Sequence, residues 1–229
     1  MSDKTRANRY TVLASKEPVR HLLEIKRSEF ICYLLRVESE AQARAYIESK
    51  RKQYHDARHV CSAFVIGADR DLQRSSDDGE PAGTAGVPMM QALLARRAQG
   101  REGQTADLSD ICAVVVRYFG GIKLGAGGLV RAYTEAVAAA LDTARLTPRE
   151  RLRLGLISVP HSEAGRLEND LRAQGYAVLG TDYSASHAEI TVAVFDDSQL
   201  QARTEDMLAQ ISAGACHIEW AGTEWVDRP

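Results

Sequence analysis

Ile111–Leu141 reads ICAVVVRYFGGIKLGAGGLVRAYTEAVAAAL. Its first eight residues, Ile111–Tyr118, are an almost unbroken β-branched run, the pattern of a central strand covered on both faces. From Leu129 the apolar positions are Leu129, Ala132, Tyr133, Ala136, Val137, Ala140 and Leu141. Their i, i+3, i+4, i+7, i+8, i+11, i+12 spacing is one face of an amphipathic helix. Between the two lies Gly120–Gly128, in which five of nine residues are glycine. The unit is therefore strand, glycine-rich loop, helix.

Upstream, Ser28–Val37 alternates like a half-buried strand. Ser39-x-x-Gln42 has the form of a capping box and starts a helix that runs to about Lys52. His59–Ile66 reads as a second strand, with Gly67–Arg70 as a turn and Asp71–Arg74 returning as a hairpin. Ser75–Pro88 (SSDDGEPAGTAGVP) is the most turn-rich stretch and reads as loop. Pro88 suits the first turn of a following helix, and Ala98–Ser109 is expected to be polar and flexible.

Downstream, Leu146–Glu150 (LTPRE) reads as a linker. Strand Leu152–Val159, a helix from Ser162, strands Tyr176–Tyr183 and Ala188–Phe195, a helix from Ser198 and strand Cys216–Trp225 then follow. Ser198-x-x-Gln201 looks like a further capping box. Leu200, Met207, Leu208 and Ile211 share a helical face. A β-α-β-β-α-β order is the ferredoxin-like split pattern. The fold class is thus α+β, with domains predicted at residues 1–146 and 147–229.

The chain has 229 residues, 45% of them apolar and 26% charged, the composition of a soluble globular protein. No segment offers the roughly 20 apolar residues a membrane helix needs. Met1–Pro18 lacks the basic start and apolar core of a secretory signal. The four cysteines, Cys32, Cys61, Cys112 and Cys216, form no C-x-x-C pair and read as free thiols. A cytoplasmic location follows. Charge is unevenly spread: residues 1–147 carry +4 and residues 148–229 carry −6, summing to the net −2. Such asymmetry fits two domains, and two solvated surfaces would show it equally.

Exposed amides at the start of the helix after the glycine loop favour an anion. The candidate anion or nucleic-acid site is Arg117, Gly120, Gly121, Lys123, Gly125, Gly127, Gly128 and Arg131. Tight packing of helix on sheet is the competing explanation of the glycines. The loop is neither G-x-x-x-x-G-K-[ST] nor a dinucleotide fingerprint. Ser76, Asp77, Asp78, Glu80 and Thr84 form a candidate ligand or cation loop, either holding magnesium with a phosphate or capping turns and the next helix. His55 and His59 read as polar partners near the anion site. With Cys61 they fall short of the four ligands of structural zinc, and no metal is assigned. Ser76, a histidine and Asp78 could make a triad, but there is no G-x-S-x-G elbow. No catalytic residue is assigned.

SSDDGEPAGTAG followed by RYFGGIKLGAGGLVRAY resembles the two signature segments of the YigZ/IMPACT family. Lys26-x-Ser28-x-Phe30 and His55-x-Ala57-x-His59-x-Cys61-x-Ala63 are similar to its lesser motifs, so the resemblance covers about residues 20–140. The family pattern has serine where Ala82 stands here. The resemblance implies a left-handed β-α-β fold for the first domain, as in a ribosomal small-subunit protein and the GHMP-type small-molecule kinases. For the second it implies a likeness to a domain of elongation factor G. It further implies a non-catalytic regulator tied to translation, with RNA, the ribosome or a ribosome-associated protein as partner, no membrane and no cofactor. The alternative it leaves open is a magnesium-dependent enzyme acting on a phosphorylated or nucleotide substrate.

Overall fold

A computed structural model of the chain describes residues 5–99 and 105–228. Two units are formed, Met1–Pro148 with Asp227–Pro229, and Arg149–Val226. In chain order the first contains β1 (Arg9–Leu13), β2 (Val19–Ile25), β3 (Ser28–Arg36), α1 (Glu40–Gln53), β4 (His59–Ile66) and β5 (Leu72–Ser76). It continues with α2 (Gly86–Ala95), β6 (Arg97–Gln99), β7 (Thr105–Asp107), β8 (Ile111–Tyr118) and α3 (Gly125–Thr143). β9 (Leu146–Val159) leads into α4 (His161–Ala173), β10 (Ala177–Tyr183), β11 (Ala188–Phe195), α5 (Ser198–Ile211) and β12 (Ile218–Asp227).

The sheet of the first unit has the order β2-β3-β8-β4-β5. Each neighbour is antiparallel to the next. β3 and β4 flank β8 and therefore run parallel to each other, joined by the α1 crossover. Being central, β8 is covered on both faces, as its β-branched run demands. Cys112, Val114 and Val116 pack with Ala43 and Ile47 of α1. Ile111, Ala113 and Val115 pack with Met89 and Leu93 of α2 and with the inner face of α3. All seven apolar positions picked out by helical spacing in α3 are buried, and its alanines let the backbone lie close to the sheet.

The second unit orders its strands β12-β9-β11-β10, with β11 antiparallel to both β9 and β10. In order of appearance that is fourth, first, third, second, the ferredoxin-like arrangement. Ile190 and Val192 are fully buried against Leu167 and Leu171 of α4 and Leu208 of α5.

Several local expectations need correction. Ser75 and Ser76 belong to β5, because Ser76 stands opposite Ser62 and Ser75 opposite Ala63 in the ladder; the loop begins at Asp77. Leu146–Glu150 is no linker but the start of β9. Pro148 lacks an N–H, yet its carbonyl accepts from the Arg228 N–H at 2.8 Å, and the Thr147 hydroxyl donates to the Arg228 carbonyl at 3.0 Å. Within Ala98–Ser109 a short antiparallel pair, β6 and β7, replaces the expected flexible segment, with Leu108 fully buried; residues 100–104 lie outside the described residues. β1 and β2 were not singled out in the sequence. α5 is capped by Asp197, whose side chain accepts from the Gln199 and Leu200 N–H groups, and not by Ser198. Leu200 is left 37% exposed. Among the described residues, no helix is long and apolar enough to cross a membrane.

Candidate functional site

Two loops meet at one end of the five-stranded sheet of the first unit. One joins β5 to α2 and is acidic; the other joins β8 to α3 and is rich in glycine. His59 opens β4 and stands opposite Arg117 in the β4–β8 ladder, so the sheet itself sets both residues between the loops.

In the acidic loop, Asp78, Gly79 and Gly83 have φ of +46°, +82° and +77°. These left-handed turns, which glycine and aspartate tolerate best, curl the loop so that its carboxylates turn inward. Asp77 Oδ1 accepts from the N–H groups of Ala85 (3.0 Å) and Gly86 (2.7 Å), and Oδ2 from that of Gly83 (2.8 Å). It thus caps α2 from outside the helix, where Ala85 has no side chain able to do so. Burial pushes the Asp77 carboxyl up, but the three N–H donors outweigh it and hold the group below its ordinary value. Asp78 Oδ2 accepts from the Val60 N–H at 2.7 Å and Oδ1 from Arg51 at 2.9 Å. Its carbonyl lies 2.9 Å from His59 Nδ1; a carbonyl only accepts, so that nitrogen carries the proton. The Thr84 hydroxyl donates to the Pro81 carbonyl at 2.7 Å.

Glu80 is the buried member, its side chain 3% exposed. Oε1 accepts from Arg117 Nη1 at 2.5 Å and from the Tyr133 hydroxyl at 2.9 Å. Oε2 lies 3.9 Å from His59 Nε2. Cys61 completes the cluster, its sulfur 2.9 Å from the Asp77 carbonyl oxygen and 3.3 Å from the Tyr133 oxygen. Burial pushes its thiol up to about 12 and, as the largest influence, raises the Tyr133 phenol as well. Neither is a ready nucleophile near neutral pH. Every carboxylate of the loop is engaged by protein donors. Among the described residues, no three His, Cys, Asp or Glu side chains gather as a metal ion would require.

The glycine loop is built the other way. Gly120 is a packing residue: its N–H donates to the Ser28 hydroxyl at 3.1 Å, and a Cβ there would fall 2.0 Å from the Arg27 carbonyl. At Gly128 a Cβ would meet Leu124 at 3.0 Å. At Gly121, Gly125 and Gly127 it would meet nothing within 4 Å. Close packing therefore accounts for two of the five glycines and leaves three facing open space. Gly121 and Gly125 have φ of +85° and +73°, which explains glycine there by conformation. Gly127 has neither constraint. α3 begins with Leu124 as its N-cap, which gives no side-chain hydrogen bond, and has no acid in its first turn. Its first N–H groups have no intrahelical acceptors.

A cleft of about 380 Å³ lies between the loops, lined by Arg58, His59 and Glu80 on one side and by Phe119, Lys123 and Gly125 on the other. Arg117 lies in its wall. Its Nη1 is taken by Glu80, while its buried Nε has no partner among the described residues. Lys123 and Arg58 make no ion pair among the described residues.

The structure brings Arg117, Lys123, Gly125, Glu80 and His59 to this cleft. Gly120, Gly121, Gly127 and Gly128 belong to the same loop and helix start without lining it. Arg131 is exposed on α3 outside the lining, and His55 is exposed beyond the end of α1. Ser76 lines a different cavity. Sequence reasoning missed Arg58, whose only signal was its place beside His59, and Phe119. It also read Tyr133 as an apolar helix position, although its hydroxyl holds Glu80.

Residues 26–141, which carry both loops, match the Impact N-terminal domain. The chain belongs to the IMPACT family. Residues 157–215 match a second family model, described as a domain of unknown function (DUF1949). IMPACT family member YvyE of Bacillus subtilis is 44% identical over 169 residues, covering 74% of this chain and 73% of that one. IMPACT family member YigZ of Escherichia coli is 47% identical over 136 residues, covering 57% of this chain and 62% of its own length. A crystal structure described as that of a hypothetical protein is 34% identical, with a TM-score of 0.57 over 94% of this chain and 98% of that one. This IMPACT-family cleft is thus framed by the segments that its sequence shares with the Impact N-terminal domain.

Proposed function

We propose that this IMPACT-family chain is a non-catalytic binding module of the translation apparatus, acting in the cytoplasm by holding a phosphate of RNA, free or ribosomal, at the mouth of the cleft. The observation that carries the reading is the pairing of an uncapped, open helix start at Gly125–Gly127 with unpaired positive charge from Lys123 and Arg58. Helix N-termini of this kind favour anions through both their dipole and their free N–H groups. Phe119, 43% exposed in the lining, offers a face on which a base could stack. The carboxylates that a catalytic reading would need are tied to backbone and side-chain donors.

Filter binding with single-stranded RNA and with ribosomal subunits tests this. Affinity is expected to fall with salt, with a slope of about −0.7 per phosphate neutralised on a single strand. Absence of binding to every RNA and ribosome fraction at low salt would refute it.

A further inference from the structure

The opposite face of the same sheet holds another cavity, of about 430 Å³, between α1 and the β4–β5 hairpin. Arg44, Glu48 and Arg51 of α1 wall it on one side, and Ser62, Arg74 and Ser76 of the hairpin on the other. Register explains the hairpin's share. Ser62 pairs with Ser76 and Phe64 with Arg74. Alternation puts all four on the face where Phe64 packs beneath α1.

Three guanidinium groups and one carboxylate line the cavity, and Glu40 and Asp78 pair with two of the arginines from outside the lining. Each arginine already has one anchor: Arg44 on Glu40, Arg51 on Asp78 and Arg74 on the Gln73 carbonyl. A guanidinium has five N–H donors in a planar fork, so anchoring one edge fixes the group and leaves donors for a ligand. The decisive detail is Ser62. It is 4% exposed, lines the cavity, and its hydroxyl has no hydrogen-bond partner among the described residues. With no such partner, that hydroxyl is free to bond a group that enters the cavity.

From these features we infer that the cavity is a second ligand site, separate from the glycine-loop cleft, for the phosphate monoester of a small molecule. Such an ester carries about −1.5 to −2 charge at pH 7, and its oxygens accept from arginine forks and serine hydroxyls alike. The cavity also has an apolar side, formed by Phe64 and Ile47, for the organic part of the ester.

Equilibrium dialysis of the full chain against radiolabelled adenosine 5′-monophosphate tests the site. Lys123→Ala, which weakens the cleft and leaves this cavity intact, is expected to keep one equivalent bound with unchanged affinity, and inorganic phosphate to compete for it. The double variant Arg44→Gln/Arg74→Gln, made at exposed positions, should weaken that equivalent by about tenfold or more, since each lost charged hydrogen bond counts for roughly that much. Ser62→Ala should fall between. Binding that survives the arginine double variant unchanged, or that disappears with Lys123→Ala alone, overturns the inference. So does nucleotide binding that inorganic phosphate does not displace. Because the arginine double variant spares the cleft and Lys123→Ala spares this cavity, the two sites are read separately, whether or not RNA binds at the cleft.

Discussion

The two loops that face each other across the cleft handle polar groups in opposite ways. In the acidic loop, Asp77, Asp78 and Glu80 together accept seven hydrogen bonds within the protein, and the loop is effectively saturated. In the glycine loop, only Gly120 and Gly128 are hemmed in, while Gly125 and Gly127 stand open at a helix start without a side-chain cap. The acidic loop is thus scaffold, and the glycine loop, with Lys123, is the surface proposed to bind. Residue types alone leave both loops with two readings, cation loop or turn cap for the carboxylates and anion site or tight packing for the glycines.

That contrast can be broken in graded steps. Glu80→Ala should have the largest effect, because it strands the Arg117 charge in a site 8% exposed. Loss of one member of a buried pair costs about 3–5 kcal/mol, readable as a fall in the urea midpoint. Replacing both, as Glu80→Gln/Arg117→Met, should restore much of that loss. Gly120→Ala comes next, at about 1–3 kcal/mol of overpacking, since the new methyl meets the Arg27 backbone. Asp77→Ala removes the cap of α2 and should cost about 1 kcal/mol. The Asp77 carboxyl lies below its unfolded value, so its contribution is present above about pH 4 and disappears as pH falls through the lower native value. The gap between wild type and Asp77→Ala in denaturation curves should therefore close in acid. Smallest in stability is Lys123→Ala, within about 0.5 kcal/mol. It should nevertheless lower the salt slope of RNA binding by about one.

What the sequence makes legible is what local periodicity controls. β8 and α3 each announce themselves, one by its β-branched run and the other by seven apolar positions at helical spacing, and all seven are buried. β2 is less legible, an edge strand half-buried at alternate positions only. The start of β9 reads as a linker because Pro148 lacks the N–H a ladder uses. There its carbonyl is used by Arg228, 80 residues on in the chain, and no local pattern reports that. The site divides along the same line. The glycine loop and Lys123 are visible as a motif, whereas the Glu80–Arg117–Tyr133 network joins residues 37 and 53 positions apart. Such a network is set by sheet register and is invisible until the strands are paired.

The sharpest test of an anion held on open main-chain amides is a ¹H–¹⁵N NMR titration of the full chain with inorganic phosphate. Progressive shifts of the Gly125, Ala126 and Gly127 amide resonances, with those of Gly83, Ala85 and Gly86 unmoved on Asp77, are the predicted result. Shifts at the Asp77-bound amides with none at the start of α3 would contradict it.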